Sequence, residues 1–212
     1  MIEAADPGDA ESIGRQRLSY AAIRKSGAPN TLLVATLGLL GGRGGHALDL
    51  GAGPLNDSRL MLRAGLTVDA VDRDPNSAAI AAEMNEPRLK LFECDIRDLE
   101  VAPATYALIA AIHIFPFLPH EDVATIAPGI AGGLGAGGLL CCTFFGQRDS
   151  WARNRPRMSF HAREEIDILF AGLETMRFSE REYDGSDAKG ERKHWHLYRC
   201  IFRRPASGDK AD

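Results

Sequence analysis

The chain has 212 residues, of which 45% are hydrophobic and 25% charged, and carries a net charge of −4. That length and balance suit one globular domain and exclude a disordered chain or a fibrous repeat. The acidic balance argues against a protein that binds by neutralising a phosphate backbone. Its 22 glycines are unevenly placed.

The opening MIEAADPGDAE is acidic and polar, unlike a secretory leader. Residues 1–30 contain one amphipathic stretch, around Ile13 to Ile23, and are expected to form a helical lid segment; Tyr20 either covers a ligand or lies on a surface helix. Thr31 to Leu40 is an apolar helix behind Pro29 and Asn30, shorter than the ~20 residues that cross a bilayer. His46 to Leu50 reads as a buried strand, and Gly51-Ala52-Gly53 turns the chain. Asn56, Asp57 and Ser58 are candidate caps for a helix to Ala64. Leu66 to Asp72 alternates as a strand. Asp74-Pro75 opens a helix to Asn85, with the proline at the first helical position. Leu89 to Cys94 is a third strand, and Asp95 to Asp98 a turn. Tyr106 to Ile114 is an unbroken apolar run, as in a central strand covered on both faces. Glu121 to Ala131 is a helix, and the glycine cluster from Gly129 to Gly138 is a turn into a fifth strand, Leu139 to Phe145.

Beyond Phe145 the rhythm changes. GQRDSWARNRPRMS is a polar, arginine-rich loop, Phe160 to Ala171 a helix, and Leu173 to Tyr183 and His194 to Arg204 a strand pair. The alternation of strands and helices predicts an α/β, doubly wound, Rossmann-like sheet of seven mostly parallel strands ending in an antiparallel hairpin. The domain is assigned to residues 31–204, with 205–212 a flexible tail. Cys94, Cys141, Cys142 and Cys200 form no CxxC pair, which points to buried thiols in a reducing cytoplasm rather than a disulfide framework or a zinc site.

The informative unit runs from His46 to Asp72: a strand, a glycine turn, a helix, and a second strand ending in an acid. Such a turn lies at the carboxyl edge of a parallel sheet, where glycines let a ligand approach and an acid can accept from both ribose hydroxyls. A dinucleotide site needs Gly-x-Gly-x-x-Gly. Here the third position is Asn56, and Asp57 would set a carboxylate where a pyrophosphate should lie. An NAD(P)-dependent oxidoreductase is therefore one alternative reading, and a non-catalytic cofactor-binding protein on the same fold is the other. A ligand with an ammonium and a sulfonium would welcome these acids, and S-adenosylmethionine is such a ligand.

At these residues the sequence resembles the class I S-adenosylmethionine-dependent methyltransferases. HALDLGAGPLNDS is similar to their first motif, AVDRD to the acidic end of the second strand, LFECDIRDL to the adenine-edge segment, and YALIAAIHIFPFLPH to the fourth-strand motif. FFGQRDSWA, SFHAREEIDILFAGLE and KHWHLYRCIFRR resemble a small bacterial subgroup related to the tellurite-resistance methyltransferases. The departures are Ala52 between the first two motif glycines, Pro54 after them, and Gly135-Ala136-Gly137-Gly138 before the fifth strand.

The resemblance implies a cofactor site of Asp49, Gly51, Ala52, Gly53, Asn56, Asp57, Asp72, Arg73, Asp95, Ile96, Ile112 and His113. Asp49 would order the glycine loop and face the ammonium, or else cap a buried turn. Asp72 would hold the ribose, or cap the Asp74-Pro75 helix; Asp95 and Ile96 would hold the adenine edge, or only start a turn. His113 is either a satisfied core histidine or the catalytic residue that takes a proton from the acceptor. Substrate candidates are Tyr20, Phe115, Phe145, Arg148, Trp151 and Trp195; the aromatic ones could instead be core, and Arg148 could belong to a solvated loop. His194 and His196 share a strand face, but no further ligand follows by spacing, so no metal is expected. Ala111 to Phe115 lack the Asn-Pro-Pro-Tyr-type motif of many nucleic-acid methyltransferases. With the acidic charge, that points to methyl transfer to a small molecule, with no nucleic acid and no membrane partner, by a monomer or homodimer yielding S-adenosylhomocysteine.

Overall fold

The computed structural model describes residues 30–187 and 189–206. The expected lid segment, Tyr20 included, and most of the expected tail lie outside the described residues. Helix α1 (Thr31–Leu40) starts at Asn30, whose side chain accepts from the Leu32 N–H, and stops at Gly41 in the left-handed region. The elements then follow as β1 (His46–Leu50), α2 (Asn56–Arg63), β2 (Thr67–Val71), α3 (Pro75–Met84), β3 (Leu89–Phe92), β4 (Tyr106–Ala111), α4 (His120–Gly133), β5 (Leu134–Gly146), β6 (Phe160–His161), α5 (Arg163–Leu169), β7 (Glu174–Ser186) and β8 (Arg192–Arg203).

The sheet runs β3-β2-β1-β4-β5-β8-β7, and the two-residue β6 adds an eighth strand beside β5. Strands β1 to β5 pair in parallel, and β8 pairs antiparallel with both β5 and β7. This is the doubly wound sheet with a terminal hairpin. Its order reverses between β1 and β4, and the crevice above that point is where such sheets take ligands.

The period-two pattern of the central strands feeds two cores. On β4, Ile109 and Ala111 face one core with Phe115, Phe144, Phe170 and Phe202. Leu108 and Ala110 face the other, with Leu33, Leu55, Met61 and Ile201. Each buried leucine or phenylalanine contributes about 1.5–3 kcal/mol, so a strand buried on both faces anchors the sheet.

Several boundaries differ from expectation. β4 ends at Ala111 because His113 takes a left-handed φ of 55°. Helix α2 is not capped by Asn56, Asp57 or Ser58: Leu55, at φ 61°, precedes it with no side-chain cap. The helix expected from Phe160 starts at Arg163, since Phe160 and His161 pair with Phe145 and Gly146. The glycine cluster is not a turn. Its first half closes α4, and its second half is a bulge where β5 slips register against β4 between Tyr106 and Leu108. A Cβ on Gly138 would come within 2.7 Å of the Tyr106 carbonyl oxygen, so only glycine fits there.

Among the described residues, no helix is long and apolar enough to cross a membrane.

Candidate functional site

The site grows from the turn after β1. Gly51, at φ 70°, and Ala52 both donate to the Val71 carbonyl, at 2.8 and 3.0 Å, tying the turn to the end of β2. A Cβ at Gly51 would lie 2.8 Å from Ile114 Cδ1, so glycine is needed on steric and dihedral grounds. The carboxylate that follows β2 braces the same loop. Asp72 Oδ2 accepts from the Gly53 N–H at 2.7 Å, and its Oδ1 accepts from the Asp74 N–H at 2.9 Å. Ser77, in the first turn of α3, donates to the Gly53 carbonyl at 2.7 Å. Both crossing segments are thus fixed before any ligand arrives.

Asp49, the last residue but one of β1, is almost completely buried and accepts from the Ser58 hydroxyl at 2.5 Å. Burial pushes its carboxyl up to about 7, and the charges of Asp57 and Asp72 push the same way. Three acids therefore share the neighbourhood of the glycine loop, which opposes a pyrophosphate and favours a cation.

A cleft of about 220 Å³ opens over this edge of the sheet. Gly51 and Asp72 line it from the glycine turn and the end of β2, Ile96 and Ile114 contribute apolar wall, and Phe117 and Leu118 line it from the segment after β4. Arg73, Asp95, Arg97 and Arg157 also line it. Asp95 caps a short turn at Ile96–Asp98 and is held by arginines, with the Arg97 fork on both oxygens at 2.9 Å and Arg73 Nη1 at 3.1 Å. These guanidinium groups keep its carboxyl well below the usual range.

The remaining expected residues scatter. His113 is half-buried beside the cleft-lining Ile114, with its backbone N–H on Thr143 Oγ1 at 2.8 Å. Ile112 packs on the opposite face, against the α1 and α2 side. Asn56 and Asp57 form the first turn of α2. Phe115 is not a pocket wall: it is fully buried, stacked on Phe144 with ring centroids 4.9 Å apart and tilted on Phe170 at 6.3 Å. Arg148 does not face the cleft either. Its guanidinium bridges Glu180 and Glu182 of β7, because β5 delivers it to the hairpin. Phe145 is also buried, at the centre of rings from Phe117, Trp151, Phe160 and Trp195. Of these only Phe117 reaches the cleft.

The sequence reading missed a buried ion pair behind this ring cluster. Lys193 Nζ lies 2.7 Å from Asp149 Oδ1, off the line of a hydrogen bond, and both side chains are almost wholly buried. The ammonium also sits over Trp151 at 3.5 Å and Trp195 at 3.8 Å. Ser58 and Arg97 were missed as well. Ser58 could have been suspected from helical spacing beside Asp57; nothing in the sequence marks Lys193. On the hairpin, Glu180, Glu182 and His196 bring ligand atoms within 4.8 Å of one another, but the Arg148 guanidinium already sits among them.

A doubly wound sheet with this terminal hairpin defines the class I methyltransferase fold. Residues 47–138 match the family described as a methyltransferase domain. By sequence, no curated protein matches the chain. Among solved structures it is similar to TehB from Haemophilus influenzae, with a TM-score of 0.73, 18% identity, and coverage of 89% of this chain and 67% of that one. It is similar to the N-methyltransferase NodS from Bradyrhizobium japonicum in complex with S-adenosylhomocysteine, with a TM-score of 0.69 and 18% identity over 92% of this chain and 97% of that one. For the Burkholderia thailandensis 1,6-didemethyltoxoflavin-N1-methyltransferase the TM-score is 0.67 and the identity 16%, over 97% and 93% of the two chains.

Proposed function

We propose that this methyltransferase domain transfers the methyl group of S-adenosylmethionine to a small-molecule acceptor. The carrying observation is Asp72, which braces the glycine loop at Gly53 and faces the cleft while Asp49 and Asp57 stand close behind. This donor set fits the group: acids for an ammonium and a sulfonium, a carboxylate for ribose hydroxyls, and Ile96 and Ile114 for a flat base. A carboxylate oxygen accepts up to two hydrogen bonds, so bracing the loop is compatible with holding a hydroxyl.

S-Adenosylmethionine supplies a methyl group on sulfur, which passes to the acceptor as the S–C bond breaks and the new bond forms, leaving S-adenosylhomocysteine. The protein's part is orientation. The Gly51 turn, Asp72 and Ile114 fix the donor side, and alignment of this kind can contribute about 7–11 kcal/mol to lowering the barrier. Phe117 and the segment after β4 form the acceptor side. An acceptor that attacks as an anion needs no base. A hydroxyl or amine gives up a proton, and His113, the chain neighbour of the cleft-lining Ile114, is the candidate to take it.

We place the protein in the cytoplasm, as a monomer or homodimer acting on small molecules rather than on nucleic acid or a membrane. The four unpaired cysteines, three of them buried, support a reducing compartment. Isothermal titration with S-adenosylmethionine, S-adenosylhomocysteine and NADH tests the reading. Binding of the first two and not the third is expected. Binding of NADH alone would replace it with the oxidoreductase.

A further inference from the structure

Ile201 of β8 belongs to the core on the α1 side, which fixes where the odd-numbered residues of the hairpin point. Strand alternation then puts Arg199 on the α1 face of β8, opposite Ser179 of β7. Arg177 and Arg181 lie two residues to either side of Ser179, on the same face. Arg199 is half-buried, and its Nη2 donates to the Thr31 hydroxyl at the start of α1, at 2.7 Å. Arg177 and Arg181 are exposed, and among the described residues neither side chain has an ion pair or a hydrogen bond. Burial, and then the charges of Arg181 and Arg177, lower the affinity of Arg199 for its proton. Three guanidinium groups thus gather on the edge strand of the sheet and its neighbour, within electrostatic reach of one another.

The other face of the hairpin shows the contrast. There Arg148 is held by Glu180 and Glu182. The three arginines of the α1 face have no such acids, and guanidinium forks match the oxygens of a phosphate group. The extent of the patch bears on the ligand. Three cations suit one phosphate, whereas a nucleic acid or a membrane surface engages a longer row of them. Glu180, Glu182 and Asp184 also alternate with the arginines along β7 and oppose an extended polyanion. Beyond Arg181 the same face carries Tyr183, exposed and stacked on Trp195 with ring centroids 6.2 Å apart and planes at 18°. An aromatic platform beside a phosphate site can take a flat ring of the same molecule.

We propose that Arg177, Arg181 and Arg199 bind the phosphate of a small phosphate monoester whose flat ring stacks on Tyr183, as in a nucleoside monophosphate. The Thr31 hydroxyl accepts from Arg199 and keeps its own proton to donate to the same phosphate. None of these residues lines the cleft described above, so the ligand is additional to the donor and acceptor of methyl transfer.

Uridine monophosphate is the probe, because it lacks the adenine of the proposed methyl donor. Calorimetric titration of the full chain at low salt should saturate with a dissociation constant below about 1 mM. Arg177→Gln and Arg181→Gln should each weaken binding about tenfold, the loss of one charge-assisted pair. Tyr183→Ala should weaken uridine monophosphate and leave inorganic phosphate unchanged. Without ligand, both arginine variants should melt at or above the wild-type temperature, since each removes a like charge, so weaker binding is separated from loss of fold. Arg73→Gln, in the cleft, should leave the uridine monophosphate affinity within about threefold. The proposal is overturned by no saturation up to about 10 mM, by equal affinity in the wild type and the Arg177→Gln, Arg181→Gln double variant, or by loss of binding in Arg73→Gln. Binding of oligouridylate through the same arginines, with none of the mononucleotide, overturns it too and makes the patch a polyanion surface.

Discussion

Asp72 reaches back from the end of β2 to hold the Gly53 N–H at 2.7 Å, so the acid that faces the cleft also builds it. Its second oxygen holds the Asp74 N–H. Asp72→Asn would turn an amide NH₂ towards one of these two donors. The expected result is a loss of about 1–3 kcal/mol of stability, as for a buried donor left without an acceptor. Affinity for S-adenosylhomocysteine should fall by about tenfold or more. Asp74→Asn is the control. It caps α3 from an exposed position where asparagine serves as well, so its melting temperature should match the wild type.

The two glycines of the turn separate steric from dihedral need. Gly51→Ala meets both a left-handed backbone and the Ile114 side chain, 2.8 Å from the new Cβ. Gly53→Ala meets only the backbone term, with nothing nearer than 3.9 Å. The dihedral cost is about 1–2 kcal/mol, and a tight core clash adds about 1–3 kcal/mol. Thermal melts should therefore rank wild type above Gly53→Ala above Gly51→Ala. Adding Ile114→Val should recover part of the Gly51→Ala loss and none of the Gly53→Ala loss. Equal melting temperatures for the two single variants would remove Ile114 from the account.

Asp49 makes the protein sensitive to pH in a particular direction. Its folded-state value near 7 lies above its ordinary 3.8, so the folded chain holds the proton more tightly than the unfolded one. Stability from this group is fully present below the unfolded value and drains away between about pH 4 and 7, by up to about 1.4 kcal/mol per pH unit. Asp49→Asn should flatten that decline in urea titrations of the ligand-free protein. A ligand that sets an ammonium near Asp49 works the other way: it favours ionised Asp49, so binding expels a proton. Affinity for S-adenosylhomocysteine should rise by about three- to tenfold from pH 6 to 7.5, and calorimetry in buffers of different ionisation enthalpy should register proton release. Proton uptake, or a flat profile shared with Asp49→Asn, contradicts this.

How much of this was legible in the sequence follows from the range of each interaction. His46 to Leu50 and Thr67 to Val71 announce themselves because burial and β pairing are written into neighbouring residues, and Asp74-Pro75 marks its own helix start. Gly51 and Asp72 were readable because the turn and the acid are separated by one strand–helix unit. Phe115 and Arg148 misled for the opposite reason. Both lie next to site-like sequence, but their partners, Phe144 for one and Glu180 and Glu182 for the other, come from remote strands. Asp95 lines the cleft, but the motif gives no sign that Arg97 and Arg73 will occupy its oxygens. The β5 bulge was hidden because a glycine run looks the same in a turn and in a slipped register.

The pair Lys193 and Asp149 links the hairpin to the Phe117 wall of the cleft. Asp149 accepts from the Trp151 N–H at 3.0 Å and from the His196 N–H at 3.3 Å, and Lys193 packs over the rings of Trp151, Trp195 and Phe145. Phe145 in turn meets Phe117, which lines the cleft. Burial lowers the affinity of Lys193 for its proton and Asp149 opposes that, so each charge depends on the other. Lys193→Met strands a buried carboxylate and is expected to cost about 3–5 kcal/mol, whereas Lys193→Met with Asp149→Asn leaves no charge and should cost much less than the sum of the single changes. Urea melts of the four proteins give the coupling. Trp151 and Trp195 are the only tryptophans in the chain, so emission and acrylamide quenching report this cluster alone. Lys193→Met should change both under native conditions, while titration with S-adenosylhomocysteine should stay within about threefold of wild type, because no donor-side residue touches the pair. A single variant as stable as wild type, or additive costs in the double variant, would show that the rings and not the ion pair hold this wall in place.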